Sequence, residues 1–310
     1  EMCIRDRNNI VTIQPDSLRI LHNPLTGWVL YASMGVDAAD FWAQYDHMYI
    51  PELGHNVSVT DYAHTLYIRA SWTDFNPQED VYGWKIDSNL RAYIEGAYQR
   101  NMRLAFRVVV DSRDKRTEFT PQFVKDAGAK GFMNKGKWSP YSDDPVFQKY
   151  YTKFVKALAK DFNDPSKVEF IDGFGLGKWG EYHTMIYSTG DDTPKKAVFN
   201  WVTDIYSQAF DKVPVVINYH RWIGAGKDWV DDEHFAADSE EMLEEAIKKG
   251  YSLRHDAFGM TTYYGSWERR FAEKYRNICP IIMEGGWIVK SHNYWQDPRG
   301  YRKDSHEDVR

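Results

Sequence analysis

Apolar and polar positions alternate along the chain with two different periods. Short apolar runs, typical of strands buried on both faces, occur at 28–32, 64–71, 103–110, from 168 onward, and at 213–218, 252–258 and 279–283. Between them, apolar residues spaced three and four apart predict amphipathic helices at 86–100, 145–162, 194–210, 238–250 and 266–276. Strand and helix therefore alternate about seven times. At this chain length the alternation predicts the α/β class and a (β/α)8 TIM barrel rather than an open sheet.

Local signals refine two of these helices and one connection. Asp144 followed by Pro145 predicts a helix start, since Asp caps the first turn and proline fits its first position. Asp238 and Glu241 form a capping-box-like start to a later helix. Residues 111–142, rich in Lys, Gly and Asp, are predicted to form a long polar loop.

The two ends of the chain bear on the extent of the domain. Residues 1–7 resemble a translated sequencing-adapter peptide, so we expect them to be non-native and residues 8–310 to form one barrel domain. The polar residues after Glu284 offer no eighth strand, so we expect a bacterial metagenome fragment truncated at its C-terminus. A periplasmic or extracellular location is expected, although a missing natural start leaves no signal peptide to read.

Composition restricts the partners. The net charge is −6 and no Lys/Arg-rich block is present, which argues against a nucleic-acid partner. No apolar run of about 18 residues exists that could span a membrane. The 12 Trp and 21 Tyr are an unusual number, and such rings line pockets for ligands with apolar faces and polar edges, as sugars have. We therefore expect a carbohydrate substrate and no cofactor.

In a barrel, the residues just past the carboxyl ends of the strands build the active site. In chain order these candidates are Arg69, Trp72, Asp111, Trp179, Glu181, His183, Asn218, His220, Asp256, Tyr263, Glu284 and Trp287. Two carboxylates stand out, Glu181 after the fourth strand and Glu284 after the seventh. These two strand ends face each other across a barrel mouth, so the two side chains can converge on one substrate bond.

Hydrolysis of a glycosidic bond requires such a pair, with one carboxyl protonated and the other ionised. Glu181 is expected to protonate the leaving oxygen and Glu284 to attack the anomeric carbon. Arg69 near Glu284 would keep that glutamate ionised. The remaining candidates divide into rings that stack on sugar faces (Trp72, Trp179, Trp287) and groups that bind hydroxyls (Asp111, Asn218, His220, Asp256).

Short motifs add a family resemblance. Residues 68–72 (Ile-Arg-Ala-Ser-Trp) and 76–84 (Asn-Pro-Gln-Glu-Asp-Val-Tyr-Gly-Trp) resemble the retaining glycoside hydrolases of clan A, in the style of β-galactosidase-like and cellulase-like barrels and uncharacterised bacterial relatives. The resemblance implies an acid/base at Glu181 and a nucleophile at Glu284. It also implies Arg69 beside the nucleophile and Tyr263 as its partner.

One departure from that resemblance keeps an alternative open. Clan A enzymes place Asn directly before the acid/base to bind the sugar 2-hydroxyl, and Gly180 stands there in this chain. Either Asn218 or His183 takes over this role, or the protein is a weak or lapsed catalyst. The alternative function is a non-catalytic carbohydrate-binding barrel.

A metal-dependent hydrolase and a nucleotide-binding protein are two other classes with partial signals in the sequence. Glu181, His183, His220, Asp256 and Glu284 include metal-ligand types, but the first strand ends in 31–33 (Tyr-Ala-Ser) without the paired histidines of metal-dependent barrel hydrolases. Hydrogen-bonding histidines are the simpler interpretation, and no metal is expected. Residues 175–180 fit G-x-G-x-x-G, and 131–137 begin like a P-loop. Bulky Trp179 and Trp138 replace residues that those motifs need, so a nucleotide site is not predicted.

Overall fold

A computed structural model describes residues 3–6, 9–12, 27–32, 34–50, 53–111, 118–226, 233–258 and 264–285. Its main sheet contains seven strands, all paired in parallel. In chain order they are β3 (Trp28–Tyr31), β6 (Ala63–Ser71), β7 (Arg103–Val109), β10 (Val168–Asp172), β11 (Val215–Asn218), β12 (Ser252–Phe258) and β13 (Ile281–Gly285). Neighbours in the sheet follow chain order throughout. Such an order results when each strand is joined to the next by a crossover on the outside.

Three antiparallel pairs of short strands complete the sheet structure. They are β1 (Cys3–Asp6) with β2 (Asn9–Thr12), β4 (Met48–Ile50) with β5 (His55–Val57), and β8 (Gly131–Asn134) with β9 (Lys137–Pro140). The helices are α1 (Ala38–Asp46), α2 (Trp72–Phe75), α3 (Gly83–Ile86), α4 (Ser88–Gln99), α5 (Gln122–Asp126), α6 (Pro145–Phe162), α7 (Lys195–Ala209), α8 (Glu233–Lys248) and α9 (Ser266–Tyr275). Short 3-10 turns lie at Val59–Asp61 and Lys178–Gly180. None of the described helices combines the length and apolar character that crossing a bilayer requires.

Most of the predicted elements are confirmed, and two segments differ. The Asp144 carboxylate accepts from the Phe147 amide at 2.8 Å and starts α6 as predicted. The helix predicted to start at Asp238 starts at Glu233 instead. Asp238 lies inside that helix and pairs with Lys195 at 2.5 Å, so its carboxylate holds α8 against α7 rather than capping a helix.

The segment predicted as a long polar loop holds α5 and the hairpin of β8 and β9. Lys135 and Gly136, with φ of 50° and 76°, form the two-residue connection between these strands. Two successive positive φ angles match the right-handed twist of the paired strands. The P-loop-like residues 131–137 therefore form a hairpin.

The sheet curls until its two edge strands face each other. A cavity of about 230 Å³ is lined by Trp28 and Val29 from β3 and by Ile281, Ile282 and Met283 from β13. With helices on the outside and seven parallel strands in the described part of the chain, the structure is that of a (β/α) barrel, which confirms the predicted fold class.

Side chains that point into the barrel form two layers. The lower layer is apolar and consists of Tyr67, Ala105, Phe170 and Val216, with Ile282 packed against them. Side chains of a strand alternate between its faces, so the residue two positions further points inward as well. That step leads to Arg69, Arg107, Asp172, Asn218 and Glu284. The upper layer, toward the carboxyl ends of the strands, is therefore polar and charged.

The larger apolar core lies between the sheet and the helices. Trp72 is fully buried there, with its ring 5.2–6.3 Å from the rings of Phe123, Phe147, Tyr151 and Phe154. A capping box causes this position: the Ser71 hydroxyl accepts from the Asp74 amide and the Asp74 carboxylate from the Ser71 amide, each at 3.0 Å. The chain thus turns into α2 directly after β6 and carries the indole outward.

Trp72→Ala should lower the free energy of unfolding by about 3–5 kcal/mol, because it leaves a cavity among four aromatic rings. Urea unfolding followed by circular dichroism measures this change. Trp28→Ala is the matched control, since the Trp28 ring is 76% exposed, and should change stability by no more than about 0.5 kcal/mol. Equal unfolding midpoints for the two variants would contradict the placement of Trp72.

Candidate active site

The loop after β10 delivers Glu181 to the barrel mouth and is fixed by hydrogen bonds on both sides. The Tyr251 hydroxyl donates to the Gly173 carbonyl at 2.9 Å, and the Val110 amide donates to the Gly175 carbonyl at 3.1 Å. The Tyr182 amide donates to the Leu176 carbonyl at 2.9 Å. The loop is therefore part of the rigid body of the barrel.

The backbone of this loop is strained at several positions. Trp179, Tyr182 and Thr184 have φ of 60°, 59° and 52°, the left-handed region that side chains with a Cβ seldom occupy. Conformations of this kind cost about 1–3 kcal/mol each, and they cluster at active sites where the surroundings fix them. Here Tyr182 is fully buried, with its hydroxyl donating to the Lys195 carbonyl at 3.1 Å.

Histidine 220 fixes the backbone of Glu181 itself. Its Nδ1 accepts from the Trp222 amide at 3.1 Å. The ring proton is thereby assigned to Nε2, which lies 2.9 Å from the Glu181 carbonyl and donates to it. His220 is fully buried. It therefore acts on the position of Glu181 and leaves no surface for a sugar hydroxyl.

The Glu181 carboxyl group is buried among three polar side chains. Oε1 lies 3.2 Å from Nη1 of Arg107, and Oε2 lies 3.4 Å from Nε2 of His183. The carboxyl group of Asp256 lies near enough for its negative charge to act on Glu181.

Arg107 is the centre of the charged layer. Its Nε and Nη2 lie 2.6 Å and 2.5 Å from Oδ2 of Asp172, and Nη2 lies 2.7 Å from Oδ2 of Asp256. With Nη1 at Glu181, one guanidinium contacts three carboxyl groups, which come from β10, the loop after β10, and β12. Arg107 is fully buried, so these acids supply the interactions that water would otherwise give it.

A second buried arginine connects this group to Glu284. Nε of Arg254 lies 2.7 Å from Oδ1 of Asp256, and its Nη2 is hydrogen-bonded to Oε2 of Glu284. The guanidinium also lies over the Tyr67 ring, 4.5 Å from its centroid. Glu181 and Glu284 are thus joined by a continuous chain of contacts through Arg107, Asp256 and Arg254. We call these residues, together with Asp172, the charged cluster.

The pKa values in the cluster differ because two guanidiniums serve four carboxyl groups. Burial opposes ionisation of Asp256, but Arg107 and Arg254 outweigh it and hold its pKa below the ordinary value. Burial, and then the negative charge of Asp256, raise the pKa of Glu181. Burial and Asp256 also raise the pKa of Glu284, to about 7. Asp256 is therefore held in its ionised form, while Glu181 and Glu284 keep their protons to higher pH than ordinary carboxyl groups do.

The structure brings several predicted site residues together at the mouth. The half-buried Arg69 donates to the Tyr31 hydroxyl at 3.3 Å and to the Trp179 carbonyl at 3.0 Å. The Trp179 side chain is 37% exposed beside the His183 ring. Asn218 is buried and donates to Asp256 at 3.4 Å. The expectation that Arg69 pairs with Glu284 is not met, since Arg254 occupies that position and the pKa of Glu284 is raised rather than lowered.

The remaining predicted residues make contacts within the protein or lie outside the described residues. Trp72 is covered by aromatic rings in the outer core and has no face left for a sugar. Asp111 lies 3.5 Å from the hydroxyl of Ser139 on β9. Asp256 is enclosed by two arginines, so its oxygens are occupied by ion pairs rather than presented to hydroxyls. Tyr263 and Trp287 lie outside the described residues.

Arg107, Asp172 and Arg254 are the cluster residues that the sequence analysis missed. Arg107 and Asp172 each lie inside, or at the end of, a mostly apolar strand run, whereas Arg254 is followed by His255 and Asp256 on β12. A charge within an apolar run signals an inward-facing side chain with a buried partner, because an unpaired charge there is too costly. That signal, read with the two-residue period of a strand, would have found Arg107 and Asp172.

The residues considered as metal ligands are engaged differently. Glu181, Asp256 and Glu284 contact guanidinium groups, and His220 donates to a carbonyl. In the described ranges, no group of three or more His, Cys, Asp or Glu side chains is placed to hold a metal ion.

Comparison with known proteins gives structural neighbours only. No protein-family model matches the sequence, and no curated protein matches it. Endo-glycoceramidase II from Rhodococcus sp., in a cellobiose-like imidazole complex, is 14% identical with a TM-score of 0.45, over 88% of this chain and 75% of that chain. The intracellular xylanase TsXylA from Thermoanaerobacterium saccharolyticum JW/SL-YS485 is 9% identical with a TM-score of 0.41, over 86% and 89%.

A third neighbour, an endogalactoceramidase, is 14% identical with a TM-score of 0.42, over 84% of this chain and 70% of that chain. At such identities and TM-scores these three likenesses do not establish a family.

Arg107→Met should lower the free energy of unfolding by about 3–5 kcal/mol at pH 7, because it leaves buried carboxylates without their cation. The folded-state pKa values of Asp172 and Glu181, which already exceed their unfolded values of about 4, would then rise further, and Asp256 would lose one of the two cations that hold its pKa low. Groups with raised carboxyl pKa values cost more stability as the pH increases through those values. The loss should therefore be larger at pH 8 than at pH 5, as measured by urea unfolding at each pH.

Arg91→Met is the control for this experiment. Arg91 forms an exposed pair with Glu95 on α4, which should contribute no more than about 1 kcal/mol. An Arg107→Met variant as stable as this control, or one whose loss grows toward acid pH, would contradict the account of the cluster.

Proposed function

We propose that the chain is a glycoside hydrolase that cleaves its substrate by a retaining two-carboxylate mechanism. Glu181 is the acid/base and Glu284 is the nucleophile. The observation that carries the proposal is the placement of Glu181 and Glu284 at one barrel mouth, joined by the ion pairs of the charged cluster. Burial and the negative charge of Asp256 raise the pKa of Glu181, which favours a proton on it. A protonated carboxyl group joined through one cluster to a second, more exposed glutamate is the arrangement that this reaction uses.

The steps follow from the two protonation states. The ionised Glu284 attacks the anomeric carbon while Glu181 gives its proton to the glycosidic oxygen, so the C–O bond breaks and a glycosyl ester of Glu284 forms. Glu181, now a carboxylate, takes a proton from water as the water oxygen attacks the same carbon. The ester bond breaks, and Glu284 leaves as a carboxylate.

Arg107, Asp256 and Arg254 position the two glutamates. Arg107 holds Glu181 from below at 3.2 Å, and Arg254 holds Glu284. At 34% exposure the Glu284 side chain is still open to a substrate, whereas Glu181 is 10% exposed. The exposed nucleophile and the enclosed acid match their roles, because burial favours the protonated form.

Gly180 has a structural reason in this chain. Its φ is 76°, and a Cβ there would lie 3.3 Å from Gly175 Cα and 3.4 Å from Arg107 Cδ. A larger residue would press on the arginine that holds Glu181. Glycine in place of the clan A asparagine is thus compatible with catalysis. The alternative function is a barrel that binds sugars without cleaving them.

Glu284→Gln should abolish hydrolysis of aryl glycosides, because an amide cannot form the glycosyl ester. Glu181→Gln should slow substrates with poor leaving groups about 10²–10⁴-fold, the usual contribution of a general acid. It should largely spare dinitrophenyl glycosides, whose leaving group needs no proton. Initial rates on a panel of aryl glycosides measure both effects.

Asp161→Asn is the control for these carboxyl-to-amide changes. Asp161 pairs with Lys85 in the outer helical layer, so the variant should keep full activity. Hydrolysis that persists in Glu284→Gln at the wild-type rate, or sugar binding by titration without release of product from any substrate, would contradict the proposed function.

The acid limb of the pH dependence of kcat/KM should lie near pH 7. Activity rises there with pH because Glu284 must be ionised to attack, and its pKa is raised to about 7. Asp256→Asn removes the negative charge that opposes ionisation of Glu284 and releases Arg254 to it. The pKa of Glu284 should then fall, and this limb should move to lower pH. An unchanged limb, or one that moves to higher pH, would contradict the role of Asp256.

A further inference from the structure

Arg69 differs from the other buried or partly buried arginines at the barrel mouth. Arg107, Arg221 and Arg254 each form an ion pair with a carboxylate. Arg69 donates only to two neutral acceptors, the Tyr31 hydroxyl and the Trp179 carbonyl. Across the described ranges, no carboxylate lies within ion-pair distance of its guanidinium. Three of its five N–H donors therefore remain for a ligand.

The surroundings of Arg69 suit a sugar ring. Tyr31 is 38% exposed and Trp179 is 37% exposed, and the guanidinium connects the two residues across the mouth. Amphipathic rings of this kind stack on the apolar face of a sugar. Arg69 lies within electrostatic range of Glu181, and Tyr31 lies within electrostatic range of Glu284. The group therefore lies beside both glutamates.

The charge of the site permits an anion at this position. Arg107 and Arg254 neutralise Asp172 and Asp256. Burial raises the pKa values of Glu181 and Glu284, which disfavours full negative charge on both groups. Among the described residues no carboxylate forms an ion pair with Arg69, so its positive charge is available to an anionic ligand.

We propose that Arg69, with Tyr31 and Trp179, forms a subsite for the carboxylate of a uronic-acid sugar. The planar fork of a guanidinium matches the two oxygens of a carboxylate. The inference rests on the proposed glycosidase function, since it names the substrate class of the same site. It makes Arg69 the residue that selects carboxylated over neutral sugars.

Titration calorimetry of the Glu284→Gln variant with matched sugar pairs tests this proposal. The probes are methyl β-glucuronide with methyl β-glucoside, and methyl β-galacturonide with methyl β-galactoside. For at least one pair, the uronide should bind about 10- to 100-fold more tightly than its neutral counterpart. Arg69→Gln in the same background should remove that preference, and Arg69→Lys should retain part of it.

Arg270→Gln is the matched control, since Arg270 lies exposed on α9 and should leave all affinities unchanged. Equal binding of uronides and neutral sugars, or an Arg69→Gln variant that loses both alike, would overturn the proposal. In the latter case Arg69 only holds Tyr31 and Trp179 in place. Absence of binding by every probe would also overturn it.

Binding is measured here without turnover, so the two proposals fail separately. Cleavage of neutral glycosides that depends on Glu181 and Glu284, without any uronide preference, would overturn the subsite alone. Arg69-dependent uronide binding by a wild-type protein that cleaves no glycoside would overturn the glycosidase function alone.

Discussion

The protonation of the site depends on how two guanidinium groups are shared among four carboxyl groups. Arg107 and Arg254 carry two positive charges, which satisfy two acids at most. Both arginines contact Asp256, and Arg107 also binds Asp172 through two nitrogens. Burial raises the pKa values of the other three acids, Asp172, Glu181 and Glu284, whereas that of Asp256 is held low. A shortage of positive charge in a buried layer thus contributes to the raised pKa values of the two glutamates at the barrel mouth.

The barrel itself explains why these charges meet. Side chains two positions apart on a strand share one face, so an apolar lower layer is followed by a polar upper layer on nearly every strand. Tyr67 is followed by Arg69, Ala105 by Arg107 and Phe170 by Asp172. The apolar layer closes the barrel interior, and the charged layer has only the mouth and its own members for solvation. Ion pairing there is a consequence of the fold.

Much of this arrangement could be predicted from the chain. The alternation of short apolar strand segments with amphipathic helices predicted the barrel class. The positions of Glu181 and Glu284 at the ends of their strands placed both near the mouth. Arg107 was overlooked because 103–110 was interpreted as an almost continuous apolar run. The partner of each arginine depends on the stagger between strands, which hydrophobic patterns do not encode. For that reason Arg69 was paired with Glu284, a position that Arg254 takes in the structure.

Other features depend on local conformations that propensities disfavour. Positive φ angles at Trp179, Tyr182 and Thr184 are imposed by the packing around them, and no residue preference points to them. Trp72 was expected at the mouth because it follows a strand end. The capping box of Ser71 and Asp74 starts a helical turn at Trp72, and this turn directs the indole into the outer core.

The most direct test of the central claim is to trap the glycosyl ester. The protein is incubated with 2-deoxy-2-fluoro glycosyl fluorides, digested with trypsin and analysed by mass spectrometry. Cleavage after Arg276 and Lys290 releases residues 277–290, in which Glu284 is the only side-chain carboxylate. The account predicts one fluoro-sugar on this peptide, and none in Glu284→Gln. An adduct on another peptide, or hydrolysis with inverted configuration and no adduct, would contradict it.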